Sequence, residues 1–352
     1  MKMKNQFIIF SALVGILLLA AKPANAQYIW HQVGGNFTNG GAEVSHVASP
    51  TEIYVAGNFG VASSPTTTGK VMKWNGTTWA ALGTFSSVRD FSTMRYVAAN
   101  SIYVAGYDAN VATLNQVMHW NGTAWAAVGS LNANAQIYSV DYAATNNIYA
   151  AGSFTDVNGS QYIAKWNGTA WSKLGTFTPI GSGGHALKYV NSTELYASGG
   201  TDPSGHRFLN KWNGSTWATV GNSFITDTNA DGDVSTINYV SANEIYVAGG
   251  IRVTQGGAVN ATILKWNGTV WTIVGVLPVS NASITEIAYK SANEMYVSGN
   301  IDIGLDANDS EAIYKWDGTT WTRITPTPFV ESIGTLKYHT ATNTFYATGG
   351  SD

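Results

Sequence analysis

Ile163-Ala-Lys-Trp166-Asn-Gly-Thr-Ala-Trp171-Ser-Lys-Leu-Gly175, preceded by Tyr149-Ala-Ala-Gly-Ser-Phe154, is the stretch that decides the fold. Its first half reads as a strand ending on an aromatic. Asn167-Gly168 is the dipeptide of a two-residue type I′ hairpin, whose central residues need positive φ. Thr169 then opens another short apolar strand. Working outward, 136–142 reads as a first strand, 148–151 as a second, 162–166 as a third and 169–174 as a fourth. Nothing in the stretch has helical periodicity.

The same words recur along the chain. Trp-Asn-Gly stands at Trp74, Trp120, Trp166, Trp212 and Trp266, and Trp-Asp-Gly at Trp316. The steps are 46, 46, 46, 54 and 50 residues. A second Trp follows each by five, and the thirteenth, Trp30, sits in Trp-His-Gln-Val-Gly, like Trp125-Ala-Ala-Val-Gly. Ile53-Tyr-Val-Ala-Gly57 recurs from Ile102, Ile148, Leu195, Ile245, Met295 and Phe345. A period of this length with four short strands per repeat predicts a propeller blade. The expectation is an all-β, seven-bladed β-propeller of four-stranded antiparallel blades. Its last blade is shared by the N- and C-terminal segments and lacks one strand, the third. The large Trp rings are expected to fill the space between neighbouring sheets.

These residues resemble the kelch-like repeat of the galactose-oxidase central-domain type of propeller, found in secreted bacterial proteins. The double Gly of the strict kelch pattern survives only at Gly199-Gly200, Gly249-Gly250 and Gly349-Gly350. The resemblance implies a fold and leaves the activity open, because such propellers host many functions. The copper site of galactose oxidase needs a Cys, and this chain has none.

Composition agrees with a folded, exported protein. Of 352 residues, 45% are hydrophobic and only 11% charged, which excludes intrinsic disorder. Zero Cys excludes disulfides, thiolate metal sites and Cys nucleophiles. Residues 1–26 read as a signal peptide: Lys2 and Lys4, an apolar run from Phe7 to Ala21, and the Ala24-Asn25-Ala26 cleavage motif. The run is short for a membrane span, which needs about 20 residues. Residues 27–352 are then one propeller domain with 15 basic and 21 acidic residues. That balance argues against nucleic acid and anionic membrane as partners. The expected product is a monomer without a transmembrane span, secreted to the extracellular space or the bacterial cell envelope.

Candidate functional residues fall in three groups. Alternating strands give two kinds of connection, and the second-to-third loops vary (58–69, 108–115, 201–207, 251–260, 300–311) whereas the hairpins do not. Binding residues gather on variable loops of a rigid scaffold, so Phe59, Tyr107, Phe154 and Phe208 are expected to be exposed aromatics for stacking on sugar rings. One position of each first strand carries His46, Arg95, Asp141, Lys188, Asn238, Ala288 or Lys337. Alternation places it opposite its apolar neighbours, where it either lines a solvated channel or contacts a ligand. Asp227, Asn229, Asp231 and Asp233, with Gly232, match the start of an EF-hand-type calcium loop, and calcium is the one cofactor the sequence suggests. A polar Asx-rich turn uses the same residues. Asn-Gly-Thr/Ser at five hairpins matches a glycosylation sequon, but the turn already explains it.

No His-metal spacing, nucleophile elbow or phosphate loop is present. The leading reading is a binding or adhesion propeller that recognises a glycan or a cell-surface protein through its variable loops. The alternatives are a polysaccharide-active hydrolase or lyase, whose paired carboxylates would meet only in space, and a structural module of a larger secreted protein.

Overall fold

The computed structural model describes residues 6–10, 30–34, 37–61, 64–85, 89–108, 115–155, 161–177, 186–201, 207–222, 233–255, 258–279, 281–302, 312–325 and 332–350. They form two compact units, 1–91 with 285–352 and 92–284.

Six four-stranded antiparallel blades account for most of the strands. Blade one runs Phe37–Ser49, Glu52–Val61, Ser64–Trp74 and Trp79–Thr84, and blade two Arg89–Ala98, Ser101–Asp108, Met118–Trp120 and Trp125–Ala127. Blade three, Ile137–Ala144, Asn147–Thr155, Gln161–Trp166 and Trp171–Lys173, follows the order read from the sequence. Blade four is Leu187–Asn191, Glu194–Thr201, Arg207–Trp212 and Trp217–Thr219. Blade five is Val234–Ser241, Glu244–Gly249, Ala258–Trp266 and Trp271–Val276, with an extra strand Arg252–Gln255 on its third. Blade six is Asn281–Ser291, Glu294–Asp302, Tyr314–Trp316 and Trp321–Arg323.

The expectation of seven blades is not met. Beyond the six there is a two-stranded antiparallel piece, Ser332–His339 with Thr344–Gly350. Among the described residues no Lys-Trp strand lies antiparallel beside Thr344–Gly350. Instead Gln6–Phe10 pairs with Thr344–Gly350 in the parallel sense, and Trp30–Gln32 pairs in parallel with Gln6–Phe10.

In four places the second Trp of a pair ties its strand to the carbonyl at the end of an earlier Trp strand. Trp171 Nε1 donates to the Val128 carbonyl at 2.5 Å, Trp217 to Leu174 at 2.7 Å and Trp271 to Val220 at 2.8 Å. In the other unit Trp79 donates to Val33 at 2.9 Å. Each acceptor immediately precedes a glycine. Gly129 has φ +58, and a Cβ there would lie 2.3 Å from Cζ3 of Trp166. Gly175 meets Trp212 and Gly221 meets Trp266 in the same way. The first Trp of a pair thus lies flat on a backbone that has no side chain, while the second ties down the carbonyl beside it. Within each blade the middle strands are buried on both faces: Ile148, Tyr149, Ala150, Ala151, Ile163 and Ala164 are all at or below 2% exposure.

The Trp-Asn-Gly hairpins differ from the two-residue turn expected. Trp166 pairs with Trp171, and Asn167 N–H donates to the Ala170 carbonyl, so the loop holds four residues. Gly168 alone in this loop has positive φ. Asn167 serves as an acceptor: its Oδ1 takes the N–H groups of Thr169 and Ala170 at 2.9 Å each. An Asx turn needs only that oxygen, which is why Asp317 replaces Asn in blade six with the same bonds to Thr319 and Thr320.

Gly129→Ala should destabilise the chain by about 2–4 kcal/mol, combining left-handed strain with overpacking against Trp166. Urea unfolding followed by Trp fluorescence measures it, and a loss below about 0.5 kcal/mol would remove the clamp from this account.

Candidate functional site

The polar position of the first strands is built by register. His46 pairs with Tyr54, Asp141 with Tyr149, Lys188 with Tyr196, Asn238 with Tyr246 and Lys337 with Tyr346. Directly paired residues share a sheet face, so each polar residue sits over a buried Tyr. Arg95 Nε lies 3.0 Å from Asp141 Oδ1, an ion pair rather than an aligned hydrogen bond. Asp141 also accepts the backbone N–H of Tyr142 at 2.8 Å and of Tyr189 at 2.7 Å. This buried carboxylate therefore joins the first strands of blades two, three and four. Lys337 pairs with Glu286 at 2.5 Å in the other unit. Nδ2 of Asn238 is buried without a hydrogen-bond partner among the described residues.

Around the second-strand Tyr of four blades is a network that sequence reading did not single out. Tyr54 Oη donates to Glu52 at 2.6 Å, and Lys73 of the third strand donates to the same oxygen at 3.0 Å. Glu194–Tyr196–Lys211 and Glu244–Tyr246–Lys265 repeat it, and Glu294–Tyr296 does so with Lys315 at 3.7 Å. The Lys ammonium lies 5.3–5.6 Å from the Tyr ring centroid in these blades. The Tyr54 hydroxyl, with Lys73, holds the Glu52 carboxyl below its ordinary value. At Glu194 burial pushes the carboxyl up, but the Tyr196 and Lys211 bonds outweigh it and the net shift is down. In blade two Glu becomes Ser101 and Lys becomes His119, and the pair still bonds, Oγ to Nε2 at 3.0 Å, with the imidazole stacked on Tyr103. The signal was present in the sequence: a Glu two residues before Tyr, and a Lys before Trp, in four repeats.

Glu43 is a different kind of carboxyl. Phe91 donates its backbone N–H to Oε2, and Asn58 donates another. Asp90 is close by and accepts Asn58 Nδ2 at 2.8 Å. Burial pushes the Glu43 carboxyl up to about 7, with the Asp90 charge adding to the rise and the two N–H groups opposing it.

The expected aromatics separate. Phe59 and Phe154 are fully buried in the blade cores, not on the surface, because the strands bearing them run further than the sequence suggested: Phe59 pairs with Thr68. Tyr107 is 42% exposed and Phe208 half-buried, each beside a variable segment. Two of the variable loops are hairpins, Val61 pairing with Ser64 and Gln255 with Ala258. Of the calcium-loop residues, Asp227, Asn229 and Asp231 lie outside the described residues. Asp233 pairs with Arg207 at 2.9 Å. Among the described residues no cluster of three metal-ligating side chains is found, and no helix is long and apolar enough to cross a membrane.

No protein-family model and no curated protein matches the chain. Solved structures do, at the level of fold. YCF48 bound to D1 peptide is 14% identical with a TM-score of 0.55, covering 89% of each chain. YCF48 from Cyanidioschyzon merolae is 13% identical, TM-score 0.54, covering 89% of this chain and 93% of that one. The C-terminal WD40 domain of Sif2 is 14% identical, TM-score 0.50, covering 89% and 95%.

Two measurements test the site's internal bonds. Asp141→Ala strips the acceptor from two backbone N–H groups and should cost about 2–4 kcal/mol, whereas Arg95→Ala removes a half-exposed partner and should cost less than about 1 kcal/mol. Equal losses in urea titrations would contradict the assignment. For Glu43 the folded chain holds its proton between about 4.5 and 7 where the unfolded chain has released it, so this group's contribution falls as pH rises through that window. Glu43→Gln stays neutral and should match the parent near pH 4.5 and exceed it by about 1–3 kcal/mol at pH 8. A parallel pair of stability–pH curves would refute the raised value.

The identifiable fold is a β-propeller with neighbours of the WD40 and YCF48 kinds.

Proposed function

We propose that the chain is a protein-binding propeller whose partner docks on the side of the variable second-to-third connections. The observation that carries this reading is the asymmetry of the blades. The six Trp-Asn/Asp-Gly hairpins are nearly identical in sequence, and those of blades three and six share one set of hydrogen bonds, while the opposite connections differ in length, sequence and structure. Scaffold demands explain the uniform side completely and leave the variable side unconstrained. A neighbour of the same fold bound to a peptide supports a polypeptide as the class of partner.

The finer reading is a kelch-like propeller working outside the cell on a surface protein or glycan. It rests on the leader-like residues 1–26 and on the aromatic residues flanking the variable segments. Calcium at Asp227, Asn229, Asp231 and Asp233 belongs to the same reading, as an ion that would order the loop entering blade five.

Tyr107 and Phe208 are the side chains to test. Exposed aromatic anchors typically dominate such interfaces, each contributing about 2 kcal/mol or more. With the full chain immobilised against a surface-proteome library and a glycan array, Tyr107→Ala should weaken the captured polypeptide at least tenfold. Val270→Ala, on the uniform hairpin side and half-exposed, should leave it unchanged. Capture that survives Tyr107→Ala and Phe208→Ala together, or capture of glycans alone, would reject a protein partner at this surface.

A further inference from the structure

In blades three, four and five the first strand ends its sheet, so one of its edges pairs with no other strand among the described residues. Register decides what that edge offers. Asp141↔Tyr149 and Tyr142↔Ile148 in blade three, Lys188↔Tyr196 and Tyr189↔Leu195 in blade four, and Asn238↔Tyr246 and Tyr239↔Ile245 in blade five are the same two steps of one ladder. Asp141 accepts the backbone N–H of Tyr142 on Oδ1 and that of Tyr189 on Oδ2. Both N–H groups therefore point to the open edge and not into the ladder. The shared register sends the Tyr239 N–H the same way.

The seams between these blades repeat as well. The Tyr149 and Tyr189 ring centroids are 5.3 Å apart, and those of Tyr196 and Tyr239 are 5.6 Å apart. Directly paired residues share a sheet face. Asp141, on the face of Tyr149, is therefore turned toward blade four, and Lys188, on the face of Tyr196, toward blade five. One seam is filled and the next is not. At the first, the Asp141 carboxylate receives two N–H groups and the Arg95 guanidinium, whose Nε is 3.0 Å from Oδ1. Arg95 and Asp141 hold one position in blades two and three, and Lys188 and Asn238 hold it in blades four and five. The second pair has the cation, but an amide where the first has the carboxylate. Among the described residues Lys188 enters no ion pair or hydrogen bond, and Asn238 Nδ2 is buried with no acceptor. A buried donor without an acceptor works against the fold. Lys188 Nζ, Asn238 Nδ2 and the Tyr239 N–H thus converge by register on a place that no carboxylate of the described residues fills.

We propose that the first-strand edges of blades four and five form a carboxylate-binding site, with Lys188 Nζ, Asn238 Nδ2 and the Tyr239 N–H as its donors. The bound carboxylate takes the place that Asp141 occupies one seam earlier, where one cation and two N–H groups already hold such a group. Charge-assisted hydrogen bonds from the ammonium supply most of the affinity. The amide and the backbone N–H fix the plane of the ligand, and two oxygens on one carbon suit donors spread along a strand edge. A single free cation matches a single negative charge. The carboxylate belongs either to a small organic acid or to an Asp or Glu side chain of a partner. The site is separate from the variable connections and does not depend on the protein-binding reading.

The probes are succinate and the peptide acetyl-Gly-Asp-Gly-amide, with sulfate and acetyl-Gly-Asn-Gly-amide as controls at equal ionic strength. Each is titrated into the full chain by calorimetry and added to its thermal melt. At least one carboxylate probe should bind and raise the melting temperature by about 2 °C or more, and neither control should. Binding of succinate alone assigns the site to a free acid. Tighter binding of the Asp peptide assigns it to an acidic side chain of a partner. Lys188→Met keeps most of the side-chain stem and should weaken binding at least tenfold. Asn238→Asp installs a carboxylate beside Lys188, as Asp141 stands beside Arg95. It should abolish binding and raise the melting temperature without ligand, and it decides the matter if Lys188→Met proves unstable. No response to either carboxylate, an equal response to sulfate, or undiminished binding by a folded Lys188→Met or by Asn238→Asp overturns the proposal. Tyr107→Ala should bind the carboxylate like the parent. Failure of carboxylate binding leaves partner capture on the variable side standing.

Discussion

Everything in these blades depends on one indole N–H reaching back to a carbonyl of the preceding blade. In Trp171 to Val128, Trp217 to Leu174 and Trp271 to Val220, a donor on the outermost strand of one sheet closes a hydrogen bond on the outermost strand of the one before. Without it the acceptor carbonyl would sit beneath an aromatic ring with no water to satisfy it, a cost of about 1–3 kcal/mol. The bond requires that the chain turn away immediately after the carbonyl. That places a left-handed residue at the next position, and only glycine meets both the backbone demand and the ring lying on it. The word Trp-x-x-x-Gly is thus a single physical object: a donor for one neighbour and a bare landing place for the other.

This is why the fold was so readable. Residues that take part in such coupled contacts cannot vary one at a time, so they recur every 46–54 residues and mark the repeat. The strands of blade three were legible to within a few residues for that reason. Blade number was not legible by counting words. Seven copies of the Ile-Tyr-Val-Ala element predicted seven blades, yet a blade is a ladder of four strands, and among the described residues six such ladders form while the seventh copy lies in a two-stranded piece. Turn type was misread for a related reason. Asn-Gly is compatible with two hairpin geometries, and the choice lies in whether Asn bends the backbone or accepts from it, a matter of side-chain hydrogen bonds.

The candidate site was legible only in part. Strand register places His46, Asp141, Lys188, Asn238 and Lys337 each opposite the buried Tyr of the second strand, which fixes their place in the ladder but not a channel or ligand role. Exposure was inferred poorly where it depended on how far a ladder extends. Phe59 and Phe154 stand just beyond the recognisable strand words, yet both lie in the core because pairing continues past the glycine. The Glu–Tyr–Lys networks were overlooked because each carries its charge inside a pattern that looks like surface polarity. Only the shared oxygen of Glu52 or Glu194 shows that Tyr and Lys converge.

Variation among repeats is therefore not by itself a mark of function. Ser101 and His119 depart from Glu and Lys, yet they preserve the contact they replace, so the departure is compensated within the blade. Asp141 departs from its counterparts and turns out to hold three first strands together. Subtracting such substitutions leaves a smaller set. Asn238 buries an amide nitrogen that nothing among the described residues receives, and Tyr107 keeps a large ring in solvent at the end of a strand whose other apolar residues are buried. Leaving an amide donor unmet or a ring exposed has no return in stability. Asn238 and Tyr107 share these features with a few other described residues, among them Ser298 and Val270, so they mark where the proposed binding role is to be tested and not where it is established.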